Sequence, residues 1–313
     1  MTAIVSSMIT RTEDTVRPRP VALHRDVLLA TDGSPAAYAA TRVVGAIATR
    51  WPVTAHAITV VPPPSLAFDP IGASIVVNAG LERELAREVR QQLATASPAA
   101  SVWHHETSVG SPATEIVRVA NQRGCNLIVL GLRPHAFLDR MFRDETALSV
   151  MRQANVPVLA ITPGLSRVPR RIAVAIDFSR ASIAAARAAL NVLDDNGSLI
   201  LVYVEPPAEP QREESEGYAA IYAQGVAAAF ARLRQDLATR TAATVEAVVL
   251  QGSVVPELVS FAERAEVDVI AMGSQRHSIA RRAFVGSVTT GLARAATRSL
   301  FVIPPGREGT PNR

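Results

Sequence analysis

The sequence is written twice. At a spacing of 142 residues, Gly110-Ser111 recurs as Gly252-Ser253, Gly131 as Gly273, His135 as His277 and Pro163-Gly164 as Pro305-Gly306. Upstream the spacing is 145, from Asp32 to Asp177, so three residues of length change lie between the anchors. An offset held over so many positions marks an internal duplication. The 313 residues leave each copy enough chain for a core of its own. We read residues 1–24, with Arg17-Pro18-Arg19-Pro20, as a flexible arm, residues 25–164 as the first copy and residues 169–306 as the second. Pro163, Gly164 and Pro169 mark the linker.

Within each copy short apolar runs alternate with helical stretches. In the first, Asp26 to Ala30 reads as a strand and Pro35 to Arg50 as an Ala-rich helix. Val53 to Val61 is β-branched and stops at Pro62-Pro63-Pro64. A helix is expected over about 80–97, a strand near 101–107, and a helix opening at Ser111-Pro112, where proline suits a first turn. Asn126 to Leu130 is a buried strand, followed by a helix near 145–154 and a strand over Val156 to Ile161. The second copy repeats the scheme with Ile172 to Ile176, a second Ala-rich helix, Leu199 to Val204, a helix over roughly 218–240, Val267 to Met272 and Leu300 to Ile303. Such alternation makes an α/β fold: two tandem repeats, each a five-stranded parallel sheet with helices on both faces.

Composition removes several chemistries. All 32 basic side chains are Arg. Without Lys there is no Schiff-base chemistry and no phosphate loop that ends in Lys. One cysteine, Cys125, excludes an internal disulfide and reads as a small buried residue before a strand. A net charge of +4 with 4% aromatics gives no basic patch for nucleic acid. No apolar stretch is long enough for a membrane span, and Met1 to Thr10 lacks the features of a signal peptide, so a cytoplasmic protein is expected. His104 and His105 are neighbours on a strand and point to opposite faces, which argues against a shared metal. No Ser/His/Asp arrangement, general base or metal-carboxylate cluster stands out. The stripe Ala219, Tyr222, Val226, Phe230 and Leu233 reads as a helix core face, and Glu213, Glu214 and Glu216 as a solvated loop patch.

Open parallel sheets bind ligands beyond the carboxyl ends of their strands, where the winding reverses. Asp32 and Asp177 follow the first strands, and Gly131 and Gly273 end the fourth. After Gly273 the chain runs through Arg276, His277, Arg281 and Arg282 to Gly286-Ser287-Val288 at a helix start. Glycine at 286 would admit a phosphate to the backbone N–H groups of residues 286–288, and Ser287 would add a hydroxyl. Spacing by itself favours a simpler role, in which Ser287 caps a helix and Gly273 ends a strand, while Asp32 and Asp177 fit a site, a helix cap or turn, or both at once.

The duplicated unit resembles the universal stress protein family in a tandem two-domain arrangement. The resemblance rests on Ala30-Thr31-Asp32-Gly33-Ser34, on Ala175-Ile176-Asp177-Phe178-Ser179, on Gly131, and on Gly273 with Gly286-Ser287. It implies a Rossmann-like fold of the adenine nucleotide alpha hydrolase type, with strand order 3-2-1-4-5. ATP-binding members of that family carry G-x2-G-x9-G-[ST] in this loop. The second copy keeps three of the four positions and has Arg276 at the second glycine. By resemblance, Ala175, Asp177 and Val204 would lie near the adenosine, and Gly273, Gly286, Ser287 and Val288 near the phosphates. Arg276 leaves two readings open: a modified site in which Arg forks onto phosphate oxygens, or a lost one. The first copy departs further. Pro134 stands at the second glycine and Asp144-Glu145 at the Gly-Ser, with Arg133, Arg140 and Arg143 in the same loop. Carboxylates at a helix start compensate its dipole themselves and repel phosphate, so no triphosphate site is expected there.

The function implied is a stress-response module that binds ATP or a related adenine nucleotide in its second domain, with slow hydrolysis at most. The alternative is a scaffold or signalling interaction protein with both pockets vestigial. The resemblance further suggests self-association through the final strands, Val158 to Ile161 and Leu300 to Ile303, within the chain or as a homodimer. No nucleic acid or membrane partner is expected.

Overall fold

The computed structural model describes residues 26–61, 79–132, 144–205, 216–274, 287–295 and 297–305. Two compact units emerge, one within His24–Arg167 and one within Val168–Arg313.

In the first unit five strands are β1 (Asp26–Ala30), β2 (Thr54–Val61), β3 (His104–Val109), β4 (Leu127–Gly131) and β5 (Val158–Ile161). Their helices are α1 (Pro35–Arg50), α2 (Ala79–Ala96), α3 (Pro112–Gln122) and α4 (Asp144–Gln153). Every pairing is parallel, in the order β3-β2-β1-β4-β5. The second unit comprises β6 (Arg171–Ala175), α5 (Arg180–Ala189), β7 (Ser198–Glu205), α6 (Glu216–Ala238), β8 (Thr244–Gln251), α7 (Val254–Arg264), β9 (Val269–Gly273), α8 (Ser287–Ala295) and β10 (Ser299–Ile303). Its order, β8-β7-β6-β9-β10, is the same 3-2-1-4-5 arrangement. Right-handed crossovers put the first two helices of each unit on one sheet face and the last two on the other. Accordingly α1 packs on α2 and α3 on α4, and α5 meets α6 and α7 meets α8.

The central strands read as unbroken apolar runs because both of their faces are covered. Val27, Leu28, Leu29, Ile128 and Val129 are at most 2% exposed, as are Ile172, Ala173, Val174, Val269, Ile270 and Ala271. Cys125 is buried before β4, and burial foremost pushes its thiol up to about 11, so it is inert.

The third strand differs from its expected place. It begins at His104 rather than near 101, because Pro98 opens a 3₁₀ turn over Pro98–Val102. Its limits follow the ladder to β2, where His104 pairs with His56 and Val109 with Val61. β8 and α7 stand where the repeat has β3 and α3 in the first unit, and they complete the second. Glu216 opens α6 instead of lying in the preceding loop. Phe230 and Leu233 are buried as the helical stripe requires, while Tyr222 and Val226 are half-buried.

Each fourth strand ends in a glycine pressed against the first helix of its unit. A Cβ on Gly131 would lie 2.7 Å from the backbone of Ala36 and Ala37. One on Gly273 would lie 2.3 Å from the Ala181 carbonyl oxygen. Backbone cannot yield as a side-chain tip can, so an added methyl must part strand from helix. Gly273→Ala is expected to lower stability by about 1–3 kcal/mol in urea denaturation. Gly225→Ala, in α6 with nothing within 4 Å of the new methyl, is expected to raise it by about 0.5–1 kcal/mol through helix propensity.

Candidate functional site

Parallel strands end together, so the second unit presents its strand ends and its helix starts along one rim. Winding reverses between β6 and β9, which pair through Ile172↔Val269 to Val174↔Ala271. The sheet brings Ala175, Asp177, Val204 and Gly273 to this rim. Ala175 is the half-buried last residue of β6, and Gly273 is the last residue of β9. Val204 is 8% exposed, two residues beyond Val202, the partner of Ala175, on the part of β7 that outruns β6. Asp177 lies two residues past β6, its residue open to solvent and its carboxyl turned partly toward the protein. Beside Gly273 lies Ser274, a buried polar residue whose N–H donates to the Ile303 carbonyl at 2.8 Å.

Asp177 belongs to a hydrogen-bonded turn. Its Oδ1 accepts from the Ser179 N–H at 2.9 Å, and its own N–H donates to Ser182 Oγ at 3.3 Å. Ser179 caps α5, its Oγ accepting from the Ser182 N–H at 3.2 Å. Partial burial works to raise the Asp177 carboxyl, but the bonds from Ser179 and Ser182 outweigh it and hold the group below its ordinary value. Between them Phe178 takes the left-handed conformation, φ 59. That costs a residue with a Cβ about 1–2 kcal/mol. The ring is held at 5.5 Å from Tyr203 and 5.0 Å from Phe230. Burial, followed by its hydrogen bond to the Tyr222 hydroxyl, pushes Tyr203 up to about 12, so it stays protonated.

The first unit builds the same turn with other residues. Asp32 Oδ1 accepts from the Ser34 N–H at 3.0 Å, and Ser34 Oγ caps α1 through the Ala37 N–H at 3.3 Å. Gly33 occupies the left-handed position, φ 76. Sequence reasoning found the two aspartates but missed Phe178, Ser182 and Tyr203. The Ser179-x-x-Ser182 spacing is a capping signal that pointed to Ser182. Nothing local marked Phe178 or Tyr203, whose contact joins residues far apart in the chain.

The helix starts differ in charge. α8 opens on Ser287 and Val288, exposed and half-buried respectively, with no acidic residue in its first turn. The corresponding helix α4 opens on Asp144 and Glu145. Each follows its fourth strand, so each N-terminus lies at the carboxyl end of the sheet. The nine-residue α8 therefore opens without a carboxylate in its first turn, where the helix dipole favours an anion, and α4 opens on two acidic residues. Arg276, Gly286, His277, Arg281 and Arg282 lie outside the described residues, as do Arg133, Pro134, His135, Arg140 and Arg143. The side chains of Asp144 and Glu145 also lie outside them.

The strand histidines do face opposite ways. His105 meets the buried Thr59 hydroxyl at 3.0 Å, while His104 lies edge-on to His56 at 6.4 Å. Burial first, then Arg90, lowers His105 from its usual value. Among the described residues no three His, Cys, Asp or Glu side chains converge to hold a metal, and no helix is long and apolar enough to cross a membrane.

Because the Asp177 carboxyl sits below its unfolded value of about 3.9, its contribution to stability is present above that pH and lost as pH falls through the folded value. Denaturation midpoints measured from pH 7 to pH 2 are expected to fall less steeply for Asp177→Asn than for wild type. Ser179→Ala is expected to cost about 1 kcal/mol at neutral pH through loss of the cap.

Comparison with known proteins agrees with this architecture. The sequence profile of the Universal stress protein family matches residues 24–162 and 169–304. A universal stress protein of Methanocaldococcus jannaschii, MJ0531, is 29% identical over 143 residues, 44% of this chain and 82% of that protein. The crystal structure of a universal stress protein from Archaeoglobus fulgidus shares the fold with a TM-score of 0.64 at 18% identity, over 90% of this chain and 98% of that one. A putative universal stress protein from Pseudomonas aeruginosa gives 0.59 at 15% identity, over 90% and 93%. With the family profile matching both halves, the chain belongs to the universal stress protein family as a tandem two-domain member.

Proposed function

We propose that the second unit binds ATP or a related adenine nucleotide and that the first does not, which makes the chain a stress-response binding module. The observation that carries this reading is the contrast between the two helix starts. α8 opens on Ser287 without a carboxylate at the rim where β6 and β9 part, while α4 opens on Asp144-Glu145. Ala175, Asp177 and Val204 would receive the adenosine. Gly273, Gly286, Ser287 and Val288 would receive the phosphates, with Arg276 a forked donor to their oxygens. Such a site orients and neutralises a triphosphate. The reading is of binding and signalling, with slow hydrolysis at most.

Arg276 at the second glycine of the motif supports a second reading, in which the pocket is closed and the chain is a scaffold. The two part in one experiment. ATP is titrated calorimetrically against wild type, Gly286→Asp and Arg276→Gly. Binding by wild type, weakened about tenfold or more by Gly286→Asp, a loss of at least about 1.4 kcal/mol, is the expected result. A rise in thermal stability with ATP must accompany it. Equal binding by wild type and Gly286→Asp overturns the site. No binding by wild type, with binding restored in Arg276→Gly, establishes the scaffold reading.

A further inference from the structure

We infer that Phe178 is the positioning residue of the turn that presents Asp177, and that its ring couples this turn to α6. The inference deepens the nucleotide reading and rests on it for its ligand-binding arm alone.

The turn is a closed bracket of short-range bonds, Asp177 to Ser179 and Ser182 and Ser182 back to Ser179. Phe178 sits at its apex. These bonds fix the bracket's internal shape but not its direction relative to the sheet. Direction needs a contact from outside, and the Phe178 ring supplies two. One is Tyr203, on β7 next to Val204, and the other is Phe230, the buried ring on α6. Tyr203 in turn hydrogen-bonds Tyr222, two turns earlier on α6. The helix therefore grips the turn directly and through the strand end.

The first unit supports this independently. Its bracket keeps the bonds from Ser34 to Asp32 and from Ala37 to Ser34, with Ala37 in place of the Ser182 hydroxyl, and its apex residue Gly33 has no side chain to grip. There the second helix reaches the apex by other chemistry: Gln92 on α2 donates its Nε2–H to the Gly33 carbonyl at 2.6 Å. In both units the second helix holds the left-handed residue after the aspartate, once by a polar tether and once by an edge-to-face ring contact. A contact rebuilt with different chemistry at the same place indicates that the turn's direction is what is being held. Moving α6 would then move Asp177 and Ser179, and a ligand that orders the turn would order α6.

The test is hydrogen–deuterium exchange on the full chain. Phe178→Gly removes the ring and relieves the backbone, Phe178→Ala removes the ring alone, and Tyr203→Phe keeps the ring contact but breaks the hydroxyl contact. Expected for both Phe178 variants is exchange about tenfold faster over residues 176–184 and 220–230, with residues 269–273 of β9 unchanged. Tyr203→Phe is expected to loosen 220–226 and leave 176–184 as in wild type. Should either Phe178 variant fail to fold, Phe230→Leu gives the same readout from the helix side. Unchanged protection of 176–184 overturns the inference. So does an equal loss across 269–273, which marks an ordinary core residue. In the ligand arm, Phe178→Gly is expected to weaken ATP binding about tenfold and Tyr203→Phe to spare it. A wild type that does not bind ATP overturns the nucleotide reading, while the exchange results still decide the coupling.

Discussion

The architecture of each unit turns on one close approach, the backbone of a strand-ending glycine against the first turn of the unit's first helix. Gly131 against Ala36 and Ala37, and Gly273 against Ala181, leave no space for a methyl group. This contact sets how near the fourth strand's end lies to the start of the first helix, and so how wide the gap is at the sheet's reversal. The helix is held there by its own cap, Ser34 or Ser179, and the cap by the carboxylate two residues earlier. Strand end, turn and helix start thus form one connected piece, and the remaining strands and helices pack around it.

The two copies keep this piece and diverge at its edges. One has glycine at the left-handed position and a glutamine tether, and the other has phenylalanine packed against two aromatic rings. One has carboxylates at the start of its fourth helix, and the other has serine and valine. The first difference concerns how the turn is supported. The second concerns the charge placed at the rim, because a helix N-terminus carries the positive end of the dipole.

Much of this was legible in the residues. The apolar runs ending at Asp32 and Asp177 became β1 and β6, and Pro35 to Arg50 became α1 residue for residue, because Ser34 and Pro35 are a cap and a first-turn proline. Gly131 and Gly273 ended strands as expected, although their reason for being glycine, a helix backbone at contact distance, carries no local signal. β3 was placed about three residues early, since Pro98 and the pairing to β2 decide its start. His56 and His104 became neighbours only through that same register.

Sequence alone determined that one α/β unit is present twice, where most of its strands and helices fall to within a few residues, and which copy carries acidic residues at its last helix start. These depend on periodicity, turn residues and local charge, which act within a few residues. The tertiary structure decided that Phe178 adopts a left-handed backbone, that Tyr203 and Phe230 hold it there, and that the second helix of each unit grips the turn after the aspartate. Those facts depend on contacts between residues tens of positions apart, and only the packed sheet brings such residues within reach of one another.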